Sequence, residues 1–284
     1  MPRHITIIFP GQGSQHIGML DKHSKNFIDT FNVNNLLGFD LIDLINNGPV
    51  EKLNATSVTQ PAVLLASYIE YVNLCAKLDI NPNILCGHSL GEYTALVASK
   101  SISLHEGLSL VYKRGLLMEK CQKGSMCAVL NVDLKVISKA CLDVENNFNT
   151  IVSPANLNSP NQTVISGSNE GIDEVIKILK DKGHSKCIKL KVSAAPHSKV
   201  MNDIIKEFND ELNKFNFSLP EQKVLHNVDN EISSNINDLR NKLINQLVMP
   251  VQWVNTMKYI SKYDGIVIEC GPNKVLTGLA KANG

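Results

Sequence analysis

The sequence is poor in the features that would mark a metal-binding, disulfide-stapled or membrane-spanning chain. Its seven cysteines are odd in number and scattered at positions 75, 86, 121, 127, 141, 187 and 270, with no C-x-x-C pair. No His-Glu-x-x-His stands near them, so neither zinc nor a disulfide framework is expected. Cys86 and Cys187 sit among apolar, strand-like residues and read as buried packing, consistent with a reducing, cytoplasmic compartment. A net charge of +1 gives no global attraction to nucleic acid or to an anionic membrane surface. No apolar run approaches the length of a membrane span. An expected strand at Ile5–Phe9 begins after only four residues, which leaves no room for a secretory or transit segment. Repeats and low-complexity linkers are also lacking. What remains, at 284 residues with 43% hydrophobic and 19% charged content, is an ordinary globular composition. That length suffices for one large domain, or one domain with a smaller partner.

The most informative segment is Gly87-His88-Ser89-Leu90-Gly91, which follows the apolar run Ile84-Leu85-Cys86 and opens a helical stretch. This is the G-x-S-x-G pattern in a strand–turn–helix context, the arrangement of a nucleophile elbow. The sharp turn pushes the central hydroxyl clear of the sheet edge, while the flanking glycines let strand and helix approach. The Leu90 amide, at the helix start, points to where an oxyanion would form. The plainer alternative is a tight turn whose serine only caps the helix.

Elsewhere the pattern is α/β. Strand Ile5–Phe9 runs into a glycine-rich loop, Pro10-Gly11-Gln12-Gly13-Ser14. Pro10, and His16 where a dinucleotide fingerprint needs a small residue, argue against nucleotide binding. Such a loop suits close backbone approach, with amides such as that of Gln12 turned inward. A long helix is expected from Thr59-Gln60-Pro61, with Pro61 in its first turn, and another over about 104 to 120. Residues 125–197 then read as strand, helix, two strands, helix and strand. That βαββαβ order is ferredoxin-like. The expected architecture is a hydrolase-like large domain with a parallel sheet, residues 1–124 and 198–284, carrying a small inserted subdomain at 125–197.

A serine hydroxyl needs a base. Of eight histidines, His197 stands out, because it follows a strand end at the seam between the two units, where a crevice would form. The alternatives are a satisfied structural histidine at that position, or His226 as the base. Asp133, Asp143 and Asp181 fall between Ser89 and His197, but none occupies a strand-end loop as a triad carboxylate would. Arg114, on the second long helix, reads from spacing alone as a snorkelling surface arginine, as Lys113 does. The sharper alternative is a guanidinium aimed into the crevice to fork onto a carboxylate.

Taken together, these segments resemble the malonyl-CoA:acyl-carrier-protein transacylase family. The matching stretches are Phe9 to Gln15, Thr59 to Ala62, Gly87 to Tyr93, Arg114-Gly115, Asn156 to Pro160, Val192-Ser193 through His197-Ser198, Asn227 to Asp229, Gln246-Leu247 with Pro250 to Trp253, and Gly271 to Leu276. They run in the family's order over nearly the whole chain. The resemblance implies Ser89 as nucleophile and His197 as general base, then general acid. It further implies Arg114 on the malonyl carboxylate and the amides of Gln12 and Leu90 as the oxyanion hole. The backbone carbonyl of Gln246 would orient the histidine in place of a carboxylate. The implied partners are malonyl-CoA and acyl carrier protein, in fatty acid biosynthesis, with no metal or redox cofactor.

One departure concerns the strand end that shapes the acyl pocket. The family usually reads Val-Ser-x-Pro-Phe-His, whereas this chain reads Val192-Ser193-Ala194-Ala195-Pro196-His197. The competing classes are an esterase or thioesterase, which would not need a pocket arginine, and a non-catalytic binding module. An acidic carrier would meet a local basic surface, for which Lys182, Lys186, Lys189 and Lys191 near the seam are candidates. Alternation of Lys189 and Lys191 outward along a strand is the simpler account of those two.

Overall fold

The computed structural model describes residues 4–121, 123–190, 192 and 194–284. Strand β1 (Ile5–Phe9) is followed by three short helices, α1 (Lys25–Asp29), α2 (Leu41–Asn47) and α3 (Val50–Leu53). The long helix α4 (Thr56–Leu78) leads to β2 (Ile84–Gly87), α5 (Leu90–Ala98) and α6 (Leu104–Lys120). Next come β3 (Gly124–Leu130), α7 (Leu134–Phe148), β4 (Val152–Ser159), β5 (Gln162–Ser168), α8 (Asn169–Asp181) and β6 (Cys187–Lys189). A 3-10 turn (Lys199–Ile204) then enters α9 (Ile205–Leu212), β7 (Lys223–Leu225), α10 (Ile236–Gln246), α11 (Trp253–Ile260), β8 (Ile266–Glu269) and α12 (Val275–Ala282).

The body is a parallel sheet of order β7-β2-β1-β8. Alternation along β1 explains why both of its faces are covered. Ile5, Ile7 and Phe9 enter a cluster with Leu64, Leu90, Leu96 and Leu108, whereas Ile8 turns to the other face against Trp253, Met257 and Leu276. Each such side chain stabilises the fold by about 1.5–3 kcal/mol of apolar transfer. A strand buried on both faces is expected of a parallel sheet clothed in helices.

The second sheet is antiparallel, in the order β4-β5-β3-β6. Helices α7 and α8 cover one face through Ile137, Val144, Ile172 and Val175. Its other face carries Met126, Ala128, Ala155 and Val164, with Leu190 and Val192 packed on them. The two units are joined by main-chain bonds. Leu157 N–H donates to the Val251 carbonyl at 2.9 Å, and Val251 N–H donates to Ala155 at 2.8 Å.

Two element boundaries differ from expectation for a physical reason. Helix α4 starts at Thr56, so Pro61 lies inside it rather than in its first turn. Its N-cap, Ala55, has no side-chain cap, but the first-turn Ser57 N–H is taken by Glu119 Oε1 of α6 at 2.7 Å. A cap supplied from a distant helix leaves no local signature. The last strand of the 125–197 unit, β6, covers only Cys187–Lys189, and Lys191 and Ser193 lie outside the described residues. Among the described residues, no helix is long and apolar enough to cross a membrane.

Candidate active site

The turn between β2 and α5 fixes the site. Ser89 has φ 52° and ψ −108°, a conformation costing a non-glycine residue about 1–3 kcal/mol. The surroundings leave no alternative. A Cβ on Gly87 would run into the Gly91 carbonyl, and one on Gly91 would run into the Phe9 carbonyl. Only glycine at both positions lets α5 sit this close to the sheet edge. The strained turn is also tied from outside, since Asn227 Oδ1 accepts from Ser89 N–H at 2.7 Å and Asn227 Nδ2 donates to the Gly87 carbonyl at 2.6 Å.

The structure brings His197 to Ser89. Nε2 lies 2.8 Å from the Ser89 hydroxyl, and Nδ1 lies 2.7 Å from the Gln246 carbonyl oxygen. A carbonyl oxygen only accepts, so Nδ1 carries the proton and Nε2 presents its lone pair to the hydroxyl. His197 is buried, and its own N–H donates to the Leu247 carbonyl at 2.7 Å. Burial, reinforced by the Arg114 charge, pushes its pKa down to about 3 against the opposing pull of the Gln246 carbonyl. The imidazole is therefore neutral at pH 7 and competent to take a proton.

Arg114 is not a surface residue; it is 1% exposed and lines the same cleft as Ser89 and His197. Spacing alone favoured snorkelling, but α6 packs along α4 and turns this position inward, while Lys113 stays exposed. Its Nη1 donates to Gln60 Oε1 at 2.9 Å and its Nη2 to Gln246 Oε1 at 3.1 Å. Its guanidinium also lies over the Tyr93 ring at 5.2 Å. These partners are neutral. Among the described residues, no carboxylate stands within ion-pair distance of Arg114, and its Nε has no acceptor. A buried cation held only by neutral groups is suited to an anionic ligand.

The cleft is lined by Gln12, Leu90, Met118, Met126, Ala194 and Pro196 besides the three residues above. Gln12 Nε2 reaches Thr56 Oγ1 at 3.4 Å. Leu90 opens α5, so its N–H has no acceptor within that helix. A second groove shares Gln12, His88, Asn156 and Leu190 with the cleft and continues past α12. His88 also lines the cleft, with its Nε2 paired to Asn158 Oδ1 at 2.9 Å. The alternative base, His226, is fully buried and bonded to Glu92 Oε1 at 2.7 Å. Among the described residues, no group of three or more His, Cys, Asp or Glu is placed to hold a metal ion. Of the candidate docking lysines, Lys189 already pairs with Asp173 at 2.5 Å, and Lys191 lies outside the described residues.

Sequence reasoning did not single out Gln60, Glu92 or Asn227, although each lies in a stretch that carried the family resemblance. Their contacts join residues 54 to 154 positions apart, which no local pattern encodes.

Comparison with known proteins agrees with this geometry. The family model described as an acyl transferase domain matches residues 6–278. The malonyl CoA-acyl carrier protein transacylase of Salmonella typhimurium is 38% identical over 283 residues, covering 96% of this chain and 91% of that protein. Its Staphylococcus aureus counterpart is 35% identical over 97% of this chain and 91% of its own length. Among solved structures, the transacylase of Coxiella burnetii superposes with a TM-score of 0.94 at 36% identity, covering 99% of this chain and 91% of that one. A malonyl-transacylase solved in complex with a type II PKS acyl-carrier protein gives the same TM-score at 35% identity, covering 99% and 93%. A serine–imidazole pair beside a buried arginine, in a chain matched this fully, leaves one assignment: the chain belongs to the malonyl-CoA:acyl-carrier-protein transacylases of the acyl transferase domain family.

Proposed function

We propose that this protein is a malonyl-CoA:acyl-carrier-protein S-malonyltransferase serving fatty acid biosynthesis. The observation that carries the reading is the convergence of Ser89, His197 and the buried Arg114 on one cleft. His197 Nε2 takes the Ser89 proton as the oxygen attacks the malonyl thioester carbonyl. The oxyanion is met by the amides of Gln12 and Leu90. Collapse expels the coenzyme A thiol, which leaves with the proton from His197, and a malonyl ester remains on Ser89. The phosphopantetheine thiol of the carrier then gives its proton to His197 and attacks that ester. Serine is regenerated by proton return. The Gln246 carbonyl holds the imidazole through both steps, and Arg114 receives the malonyl carboxylate.

The groove that continues from the cleft past α12 offers a path for the pantetheine arm, and the apolar lining by Met118, Met126 and Leu190 limits water while the ester waits. The architecture fits this use. The body, 1–124 with 198–284, is read as hydrolase-like, and 125–197 as a ferredoxin-like insert whose strand order β4-β5-β3-β6 is that of the split βαβ unit.

Intact-mass measurement after mixing with malonyl-CoA tests the reading. A malonyl adduct on Ser89 that vanishes when holo carrier protein is added is the expected result. Loss of the adduct to water at the same rate without carrier would make the protein a thioesterase instead. Failure to form any adduct rejects acyl transfer.

A further inference from the structure

The Glu92 carboxylate lies fully buried in the first turn of α5, three positions beyond Ser89. Its Oε1 accepts from His226 Nδ1 at 2.7 Å. Its Oε2 accepts from Asn227 N–H at 2.9 Å and from Gln246 Nε2 at 2.7 Å. The Ser233 hydroxyl completes the chain, 2.6 Å from His226 Nε2. No atom of Glu92 lines the cleft, so it does not touch substrate.

Gln246 is what links this carboxylate to the chemistry. Its main-chain oxygen accepts from His197 Nδ1 at 2.7 Å, and its Oε1 accepts from Arg114 Nη2 at 3.1 Å. Its Nε2 donates to the Ser89 carbonyl at 3.1 Å as well as to Glu92. One residue thus contacts base, clamp and nucleophile. The side-chain amide works in only one orientation. Reversed, it would set its NH2 against the guanidinium and its oxygen against the carboxylate. Glu92 selects the working orientation. It also holds Asn227, which ties both sides of the elbow.

We propose that Glu92 is a positioning residue: through Gln246 and Asn227 it fixes Arg114 and His197 relative to Ser89, so that clamp, base and nucleophile hold one geometry. The proposal rests on the malonyl-transfer reading. Buried networks of this kind lose much when one member is removed, because the remaining groups are left unpaired. A misplacement near 1 Å at a reacting centre lowers rate by about 100-fold.

The chemistry predicts an unusual tolerance. In Glu92→Gln the amide oxygen can keep Asn227 and Gln246, while its NH2 faces His226. The His226 ring can answer by carrying its proton on Nε2, donating to Ser233 and offering a lone pair at Nδ1. Glu92→Leu offers no acceptor at all. Gln246→Met keeps the carbonyl on His197 but removes every side-chain link.

The test measures single-turnover acylation of Ser89 by malonyl-CoA in the full-length chain, with thermal unfolding of each variant recorded alongside. Expected are an acylation rate lower by about 100-fold in Glu92→Leu and Gln246→Met, with half-saturation by malonyl-CoA raised by about 10-fold, and a rate within about 3-fold of wild type in Glu92→Gln. A merely structural carboxylate would lower the unfolding temperature and leave both kinetic values unchanged in the folded protein. That result in either broken variant overturns the proposal, as does a Glu92→Gln variant as slow as Glu92→Leu. If Glu92→Leu does not fold, Gln246→Met decides. Wild type without an adduct refutes the malonyl-transfer reading itself, a result distinct from unchanged variants of an acylating enzyme.

Discussion

His197 Nδ1 donates to the Gln246 carbonyl oxygen, an acceptor without formal charge, at 2.7 Å. A carboxylate in that place would stabilise the imidazolium; a carbonyl orients the ring while doing so only weakly. With burial and Arg114 acting in the same direction, the ring stays neutral far below the ordinary histidine value of 6.5. Ser89 acylation should therefore hold a plateau as pH falls from about 8 to about 5, read from the rate of adduct formation. A fall centred near 6.5 would contradict the neutral-base geometry.

The same shift has a stability consequence with a definite sign. Between 6.5 and about 3 the unfolded chain binds a proton at position 197 that the native protein does not. Native stability is thus complete above 6.5 and declines as pH falls toward 3. His197→Gln should show a shallower decline in denaturant melts over that range. Equal slopes for the two proteins would refute the buried neutral ring.

Arg114→Ala should lower malonyl transfer by at least about 10-fold while sparing or raising acetyl transfer. The guanidinium otherwise rests on the neutral Gln60 and Gln246 oxygens, so its removal takes away a carboxylate partner rather than an acyl-binding surface. Equal losses on both substrates would remove the clamp from the mechanism.

Asn227→Ala leaves the Ser89 N–H and the Gly87 carbonyl without their side-chain partner. Each unpaired buried group costs about 1–3 kcal/mol, so the denaturation midpoint should fall clearly. Ser89 acylation should slow in parallel, because the strained turn loses its outside tie.

Gly91→Ala should be among the most damaging of small substitutions, since its methyl would meet the Phe9 carbonyl of the central strand rather than a movable side chain. We expect a loss of about 1–3 kcal/mol or more in chemical denaturation, with α5 displaced and the nucleophile misaligned. A variant of native stability and full activity would show that the close approach is not required.

The parts of the site legible in the sequence were those written locally. The elbow needs only a strand, two glycines and a helix start within a few residues, and 84–91 contains them all. Periodicity likewise located α6 with its ends at 104 and 120. Arg114 was misjudged from spacing because burial belongs to the α4–α6 contact and not to α6 alone. The start of α4 was misplaced because Glu119 caps it from another helix. His197 was legible ahead of His226 from its place at the seam between the two units, and the folded chain adds the partner of each, Ser89 for His197 and Glu92 for His226.

The bonds between residues 155–157 and Val251 run from main chain to main chain, so every substitution other than proline leaves their donors and acceptors in place. The gap facing the nucleophile is thereby set by the course of the polypeptide, while its lining at Met118, Ala194 and Pro196 remains free to change. Acyl preference can drift during evolution, or be redesigned, without rebuilding the frame in which transfer takes place.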